Sequence, residues 1–431
     1  MRGDLSHRTC WLQPPRLAFG SIKIALSAIA LLVSSATAVT AAEPRALDER
    51  QAVALALARP AYRELEDSRL AVAGSEVTAA NLLPNPVFAW EQGRMGAPAG
   101  RSTESTAKIS QSFDFSGRRA LRHEAATNRM DAARFDQQDR RLNTVVEVRR
   151  LFSETLYRQE TGSAYARWLR RIESATEIVR NLAKAGEVSG YDRRRLEREA
   201  QTAKARAAGV AAEYARMRET MAGLIGESGG GLPTLAGELL PDNAPALEAV
   251  QIALRQRPDL ASLAAQANAY GRERTAAERA WIPEVTLGLG QKRVDEPNRS
   301  DTGVILAFSV PLPVFDRGQA NEQRARARAS TLRAEQALTY AKGEAEVKGI
   351  WRQTVELRQA AQTFRRESLG SSRELTGIAE AAYRGGESGV LELLDAYRSE
   401  LEAETTALDL ELRARLARIE LDAVSGVKTH E

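Results

Sequence analysis

Few residues in this chain could carry covalent or metal chemistry, and each fails on its surroundings. Gly226-Glu227-Ser228-Gly229-Gly230 fits the G-x-S-x-G turn that exposes a serine nucleophile. Such a turn needs an apolar strand before it and a helix after it. Here no apolar strand precedes, glycines follow, and the only later histidine is His430, so the segment reads as a linker. Cys10 is the one cysteine, and beyond residue 42 the only histidines are His123 and His430. A thiol nucleophile, a disulfide and a tight transition-metal site are all excluded by that inventory. There is no P-loop. The expectation is a protein that is not an enzyme and carries no cofactor and no resident metal.

Cys10 drops out because residues 1–42 read as a secretory signal peptide. Arg2, Arg8, Arg16 and Lys23 precede an apolar run from Ile24 to Val33, and Ala36-Thr37-Ala38 or Val39-Thr40-Ala41 offers the cleavage site. Of 61 Lys+Arg and 57 Asp+Glu, the leader holds four and one, which leaves 57 and 56 and a net charge of +1. The basic pI therefore comes largely from the leader and gives no support for nucleic-acid binding. In the remainder Ala, Arg, Glu and Leu dominate and aromatics are only 5%, the composition of long helices rather than of a compact enzyme.

The elements come in two copies. Gln51-Ala52-Val53-Ala54-Leu55-Ala56-Leu57 runs into Arg59-Pro60, and Glu248-Ala249-Val250-Gln251-Ile252-Ala253-Leu254 runs into Arg257-Pro258. Ala79-Ala80 leads to Pro86 as Ala276-Ala277 leads to Pro283, and Gly186-Glu187 recurs as Gly386-Glu387. Matches in one order at offsets of 197 to 200 indicate a duplication. The expected organisation is a first repeat (43–226), a Gly/Pro-rich linker (227–246), a second repeat (247–426) and a short tail (427–431).

No proline occurs between Pro98 and Pro233, or after Pro313, so both tracts can hold very long helices. Tyr165, Trp168, Ile172, Ala175, Val179 and Leu182 keep the 3-4-3-4-3 rhythm of a coiled-coil seam, and Leu394, Leu401 and Leu408 keep seven-residue spacing. Each tract breaks once, at Gly186-Glu187-Val188-Ser189-Gly190 and at Gly385-Gly386-Glu387-Ser388-Gly389. Each is therefore a helical hairpin whose first arm (Arg118 to Lys184; Gln319 to Gly385) is roughly 100 Å long at 1.5 Å per residue.

Before each hairpin the period changes to two. Val285, Leu287 and Leu289, like Ala107, Ile109 and Phe113, alternate as strands with one apolar face do. The pattern predicts one β-hairpin per copy, at about 86–115 and 284–311, with strands of about 8 to 11 residues joined by long Gly/Pro-rich or charged loops. That is the length a tilted strand needs to cross a bilayer. Four strands cannot close a membrane barrel, and an open edge cannot face lipid, so membrane-spanning strands here require an oligomer. Phe88, Trp90, Phe113, Trp281, Phe308 and Phe315 lie in or beside the strands. Two readings stand for them: an interfacial girdle, or packing at the junction with the helices.

The duplication, Arg257-Pro258-Asp259-Leu260, Pro311-Leu312-Pro313-Val314-Phe315-Asp316 and the Gly-Glu-x-Ser tips resemble the outer-membrane efflux protein (TolC-like) family. Asn85-Pro86, the stretch from Glu104 to Phe115 and Ser116-Gly117-Arg118-Arg119 are most similar to its heavy-metal cation efflux branch. The resemblance covers residues 47–426. It implies a mainly α fold with a membrane β part: a homotrimer whose 12 strands form one outer-membrane β-barrel, continued by a periplasmic α-helical tunnel. It also implies outer-membrane lipid around the barrel, a periplasmic adaptor and an inner-membrane pump of the RND type as partners, in a Gram-negative bacterium.

The family closes its tunnel with acidic residues past the second tip, and the matching stretch here is Val390 to Ala396. Glu392 and Asp395, three apart on one helix face, become the expected periplasmic gate, and in a trimer each makes a ring of three carboxylates. Asp192 matches the corresponding place after the first tip and is followed by Arg193, Arg194 and Arg195. The tips themselves, Gly186, Glu187 and Ser189 with Gly386, Glu387 and Ser388, are the expected adaptor-docking points; glycine there also serves simply to turn the chain. A soluble periplasmic coiled-coil adaptor or scaffold is the alternative, with its strands mere loops, and an exporter of drugs or other organic compounds shares the same conduit fold.

Overall fold

A computed structural model of the chain describes residues 46–97, 100–227 and 231–426. The expected signal peptide, the tail 427–431 and residues 228–230 of the expected linker lie outside the described residues.

Each copy opens with two helices parted by an Arg-Pro pair. α1 (Glu49–Ala58) starts on a capping box, in which Asp48 accepts from the Gln51 N–H at 2.7 Å and the Gln51 side chain accepts from the Asp48 N–H. α2 (Pro60–Asn81) begins on Pro60, where the missing N–H would have had no helical partner. The second copy repeats this. After the first β-hairpin, α3 (Arg118–Ala185) and α4 (Gly190–Ile225) come α5 (Leu247–Leu254) and α6 (Pro258–Glu278), again starting on proline. The arginine of each pair has a repeated task. Arg59 donates to the Leu224 carbonyl at 3.0 Å and Arg257 to the Val424 carbonyl at 2.9 Å. Each fills an orphan carbonyl at the end of its copy's returning helix.

The long arms match the spacing of glycine and proline. α3 is one helix of 68 residues, and α4 returns over 36. In the second copy α7 (Gln319–Phe364) passes through a π-helical turn (Arg365–Leu369) into α8 (Gly370–Arg384), and α9 (Val390–Ser425) returns over 36 residues. The seam read from the heptads is buried: Trp168, Ile172, Ala175 and Val179 on α3, with Leu394, Leu401 and Leu408 on α9.

The strands are longer, and their connections shorter, than the alternation indicated. β1 (Val87–Ala97), β2 (Gly100–Phe113), β3 (Val285–Glu296) and β4 (Arg299–Ser309) form one antiparallel sheet in that order. Pairing continues to Ala97↔Gly100 and Glu296↔Arg299, so two residues join each pair. The glycines and charges that read as loop are drawn into the backbone ladder by their partners across the hairpin. With every neighbour antiparallel, the chain enters and leaves the sheet at one end only, and all the helices hang from that end.

Residues 231–246 do more than link. Leu232, Leu235 and Leu239 are buried against Phe152, Leu156 and Met221, and Leu235 forms a parallel bridge with Leu47. Beside this cluster a buried charge network ties the copies together. Arg149 of α3 donates to Glu49 at 2.7 Å and to Asp422 of α9 at 3.0 Å, while Arg415 and Arg418 of α9 hold the other oxygens.

Removing one partner from a buried network strands the others. Arg149→Ala is expected to lower stability by about 3–5 kcal/mol, read as a fall in the thermal midpoint of the purified protein. A second expectation concerns the sheet-to-helix junction. Burial pushes the Asp114 carboxyl up, but the Ser116 hydroxyl and N–H, with Arg118 and Arg122, outweigh it and hold the carboxyl below its usual range. A depressed carboxyl stabilises the fold above its unfolded-state value, and that contribution is lost as pH falls through the folded-state value. The thermal midpoint should therefore drop on acidification below the normal carboxylate range, and Asp114→Asn should flatten that part of the profile.

Candidate functional site

The sheet is inside out for a water-soluble protein. Cross-strand register places Phe88, Ile109, Leu289 and Leu306 side by side in one row, and all four are exposed. Trp90, Leu287, Val304 and Phe308 share that face, and Phe308 is 71% accessible. The opposite, more sheltered face carries Glu104, Lys108 and Lys292, with Lys292 paired to Glu104 and Lys108 paired to Glu91 at 3.3 Å. An antiparallel sheet in water turns its apolar side to a core. Here that side has no protein cover, which is the arrangement of a sheet whose outer solvent is lipid and whose inner face is wet. Gly290 on the sheltered face has no room for a side chain, since a Cβ there would come 2.4 Å from the Ala107 carbonyl oxygen. Trp281 and Phe315, just outside the strands, are exposed as well, while Phe113 stacks on Phe115 at 6.3 Å.

At the far end of the helices the two tips use the same turn. Gly186 and Gly386 take positive φ, +81° and +75°, and both are exposed with open space around them. The following N–H closes each turn, Glu187 onto Leu182 at 3.0 Å and Glu387 onto Ala382 at 2.9 Å. Glu187 and Glu387 face solvent.

Beyond the glycine the tips part company. Ser189 caps α4 by accepting from the Asp192 N–H at 3.0 Å, and its hydroxyl donates to the Asp192 carboxylate at 2.6 Å. Asp192 is thus held in a local cap, and its charge lies near the buried Tyr383 phenol, whose pKa rises through burial first and that charge second. α9 starts on Gly389 with no side-chain cap, and the Ser388 hydroxyl is buried without a hydrogen-bond partner. Glu392 folds back over Gly389, and Glu392 and Asp395 are both exposed on the first turns of α9. The structure therefore keeps Glu392 and Asp395 together as solvent-facing carboxylates and sets Asp192 apart.

Reading the sequence for motifs missed a lattice of ion pairs above the tips. Arg167 of α3 and Arg373 of α8 share Glu404 of α9 at 2.7 and 3.3 Å. Arg171 reaches Glu400 at 2.5 Å and Glu380 at 4.0 Å, and it lies over the Tyr397 ring at 5.7 Å. Burial, then Glu380, pushes the Tyr397 phenol up to about 12. Arg398 closes the lattice onto Glu199 of α4. These side chains sit in charge-rich helices and carry no local signature; only the heights of facing helices bring them together.

Exposed apolar sheet, long paired helices and glycine tips define an outer-membrane conduit with a helical extension. The outer membrane efflux protein family model matches residues 68–227 and 249–427, and the chain belongs to that family. It is an efflux channel component of the outer membrane of Gram-negative bacteria, a transport conduit rather than an enzyme. The cobalt-zinc-cadmium resistance protein CzcC of Cupriavidus metallidurans is 25% identical over 358 residues, 81% of this chain and 83% of that one. The nickel-cobalt-cadmium resistance protein NccC of Alcaligenes xylosoxydans is 28% identical over 331 residues, 71% of each chain. Among solved structures, a membrane protein from Pseudomonas aeruginosa shares the fold with a TM-score of 0.72 at 19% identity, covering 88% of this chain and 92% of that one.

The turn role of the tip glycines separates cleanly from any contact role. Since only backbone strain opposes a side chain at Gly386, Gly386→Asn should leave the thermal midpoint nearly unchanged, asparagine tolerating this conformation. Gly386→Val should cost about 1–2 kcal/mol, read in the same melt.

Proposed function

We propose that the chain is the exit duct of a three-part exporter of divalent heavy-metal cations. Three copies would pool twelve strands into one barrel in outer-membrane lipid, and their helical hairpins would continue it as a tunnel through the periplasm. The single observation that carries this reading is the inverted sheet with two unpaired edges, β1 and β4, which lipid cannot satisfy and another copy can. A soluble scaffold would have no use for an exposed row of Phe88, Ile109, Leu289 and Leu306.

The helices support the same assembly. Below the sheet α4 packs on α3, α3 on α9, and α9 on α7 and α8, which leaves α4 and α8 as opposite edges of the layer. α4 presents Arg194, Arg198, Lys204 and Arg206, none of them in an ion pair among the described residues. α8, with the π-turn before it, presents Arg366, Glu367 and Glu374 beside exposed Leu375 and Ile378. A basic edge on one side, and exposed carboxylates with apolar side chains on the other, fit head-to-tail closure into a ring.

Heavy-metal cargo follows from the names of the two resistance proteins and from the carboxylates at the tunnel end. In a ring of three copies Glu392 and Asp395 would concentrate cations at the entrance and repel anions. An adaptor would dock on the glycine tips, Gly186, Glu187 and Ser189 with Gly386, Glu387 and Ser388, and an inner-membrane pump of the RND type would drive the transport, the duct itself being passive.

Native mass of the detergent-extracted protein tests the assembly: a trimer is expected, and a soluble monomer sinks the duct. Reversal potentials in planar bilayers test the gate. Glu392→Ala with Asp395→Ala should reduce cation-over-anion selectivity several-fold for each ring removed, by roughly 1 kcal/mol of lost attraction per ring in water-like surroundings, and unchanged selectivity removes these residues from the cation path.

A further inference from the structure

The duplication supplies its own control for a feature found in only one copy. Both first arms leave the sheet from an αL glycine and end at a tip glycine, yet α3 is uninterrupted while the second arm breaks into α7, a π-turn at Arg365–Leu369 and α8. Counting back from the tips, the equivalent stretch of α3 is 165–169, regular α-helix throughout. A mid-helix π-turn interrupts the i→i−4 ladder and is a place where a helix can kink. Gly370-Ser371-Ser372 follows it, three poor helix formers in a row.

The surroundings of this turn are those of a joint. On one side it is pinned: Leu369 is buried, and Arg365 donates to the fully buried Glu411 of α9, Nη2 to Oε2 at 3.2 Å with Nε 2.5 Å from Oε1. On the other side α8 buries only Thr376, whose hydroxyl reaches the Ala396 carbonyl at 3.3 Å. Lower down, Ala379 and Tyr383 lie partly buried against the α3–α9 seam, and above them α8 borders a polar cleft of about 350 Å³ against α3 and α9, crossed by Arg373–Glu404 and Arg171–Glu380. At its lower end α8 runs into Gly385 and Gly386. It is a short rod jointed at both ends and held sideways by ion pairs and by two partly buried side chains, Ala379 and Tyr383.

We propose that the Arg365–Leu369 turn, clasped to α9 through Arg365–Glu411, is the pivot on which α8 swings away from α3 and α9, and that the first copy has no such joint. The tunnel end then opens by movement of one hairpin arm of the two. The proposal rests on the duct reading for its consequence, but not for its mechanics.

Hydrogen exchange on the detergent-solubilised full chain reads the mechanics directly. Amides in 366–372 should exchange at least about tenfold faster than those in 166–172, and Glu411→Gln should widen that gap by opening the clasp. Equal exchange in the two stretches overturns the pivot. Conductance reads the consequence. The chain has no cysteine beyond Cys10, so Arg373→Cys with Glu404→Cys can be bridged by a short bifunctional thiol reagent, and Arg158→Cys with Glu213→Cys, an ion pair across α3 and α4, serves as the control. With a bis-methanethiosulfonate as the reagent, which joins each thiol through a disulfide, the first bridge should abolish channel openings until reductant is added, and the second should leave them intact. A bridged α8 that still gates normally refutes the swing. A wild-type protein that never conducts refutes the duct instead, and the exchange contrast then decides the pivot alone.

Discussion

Backbone hydrogen bonding at the edges of a four-stranded sheet governs the rest of this molecule. β1 and β4 each leave one side of their ladder unpaired, and the face they share is apolar and uncovered. In water the edges would be tolerable and the face would not; in lipid the face is satisfied and the edges are not. Only further copies of the sheet meet both demands. The all-antiparallel order then turns both hairpins at one end and brings every entry and exit of the chain out at the other, so the helices hang in a single direction.

Duplication supplies those helices in pairs, and the copies preserve what holds the hairpins while diverging in what moves them. The shared devices are the Arg-Pro breaks, with Arg59 and Arg257 closing the ends of α4 and α9, and the positive-φ tip glycines. The differences cluster at the lower end of the second copy. There Ser189–Asp192 capping has no counterpart, the carboxylates of Glu392 and Asp395 stand free, and the arm carries a π-turn.

Much of this was legible in the chain because long helices are specified locally. Trp168, Ile172 and Val179 recur at seam spacing, and proline is absent where an arm must be continuous. The features that escaped did so for distinct physical reasons. The strand ends look like loop, with Gly96, Gly100 and the charges around Asp295, because their pairing is fixed by a partner strand and not by propensity. Residues 231–246 look like a linker because glycine and proline outweigh Leu232, Leu235 and Leu239, whose three- and four-residue spacing was the available signal. Asp192 looked equivalent to Glu392 by its distance from the tip. The Ser189-x-x-Asp192 pattern reads as a cap, however, and Gly389 at the matching place has no side chain with which to make one. The π-turn has no sequence mark that distinguishes it from an ordinary glycine-containing helix.

The way the core changes along the helices explains how one chain can be both durable and able to open. At mid-height, Val148, Phe152, Met221, Val250 and Val347 fill apolar clusters that lose contact outright if parted. Toward the tips α3 and α9 keep such a seam; α8 adds only the partly buried Ala379 and Tyr383 to it and otherwise meets them through Arg373–Glu404, Arg171–Glu380 and a polar cleft. Ion pairs beside water exchange partners with solvent at little net cost, typically under about 1 kcal/mol each. An apolar seam of the same length would lock α8 in place. Charge at that one interface is therefore what permits motion where the sheet and the upper core forbid it.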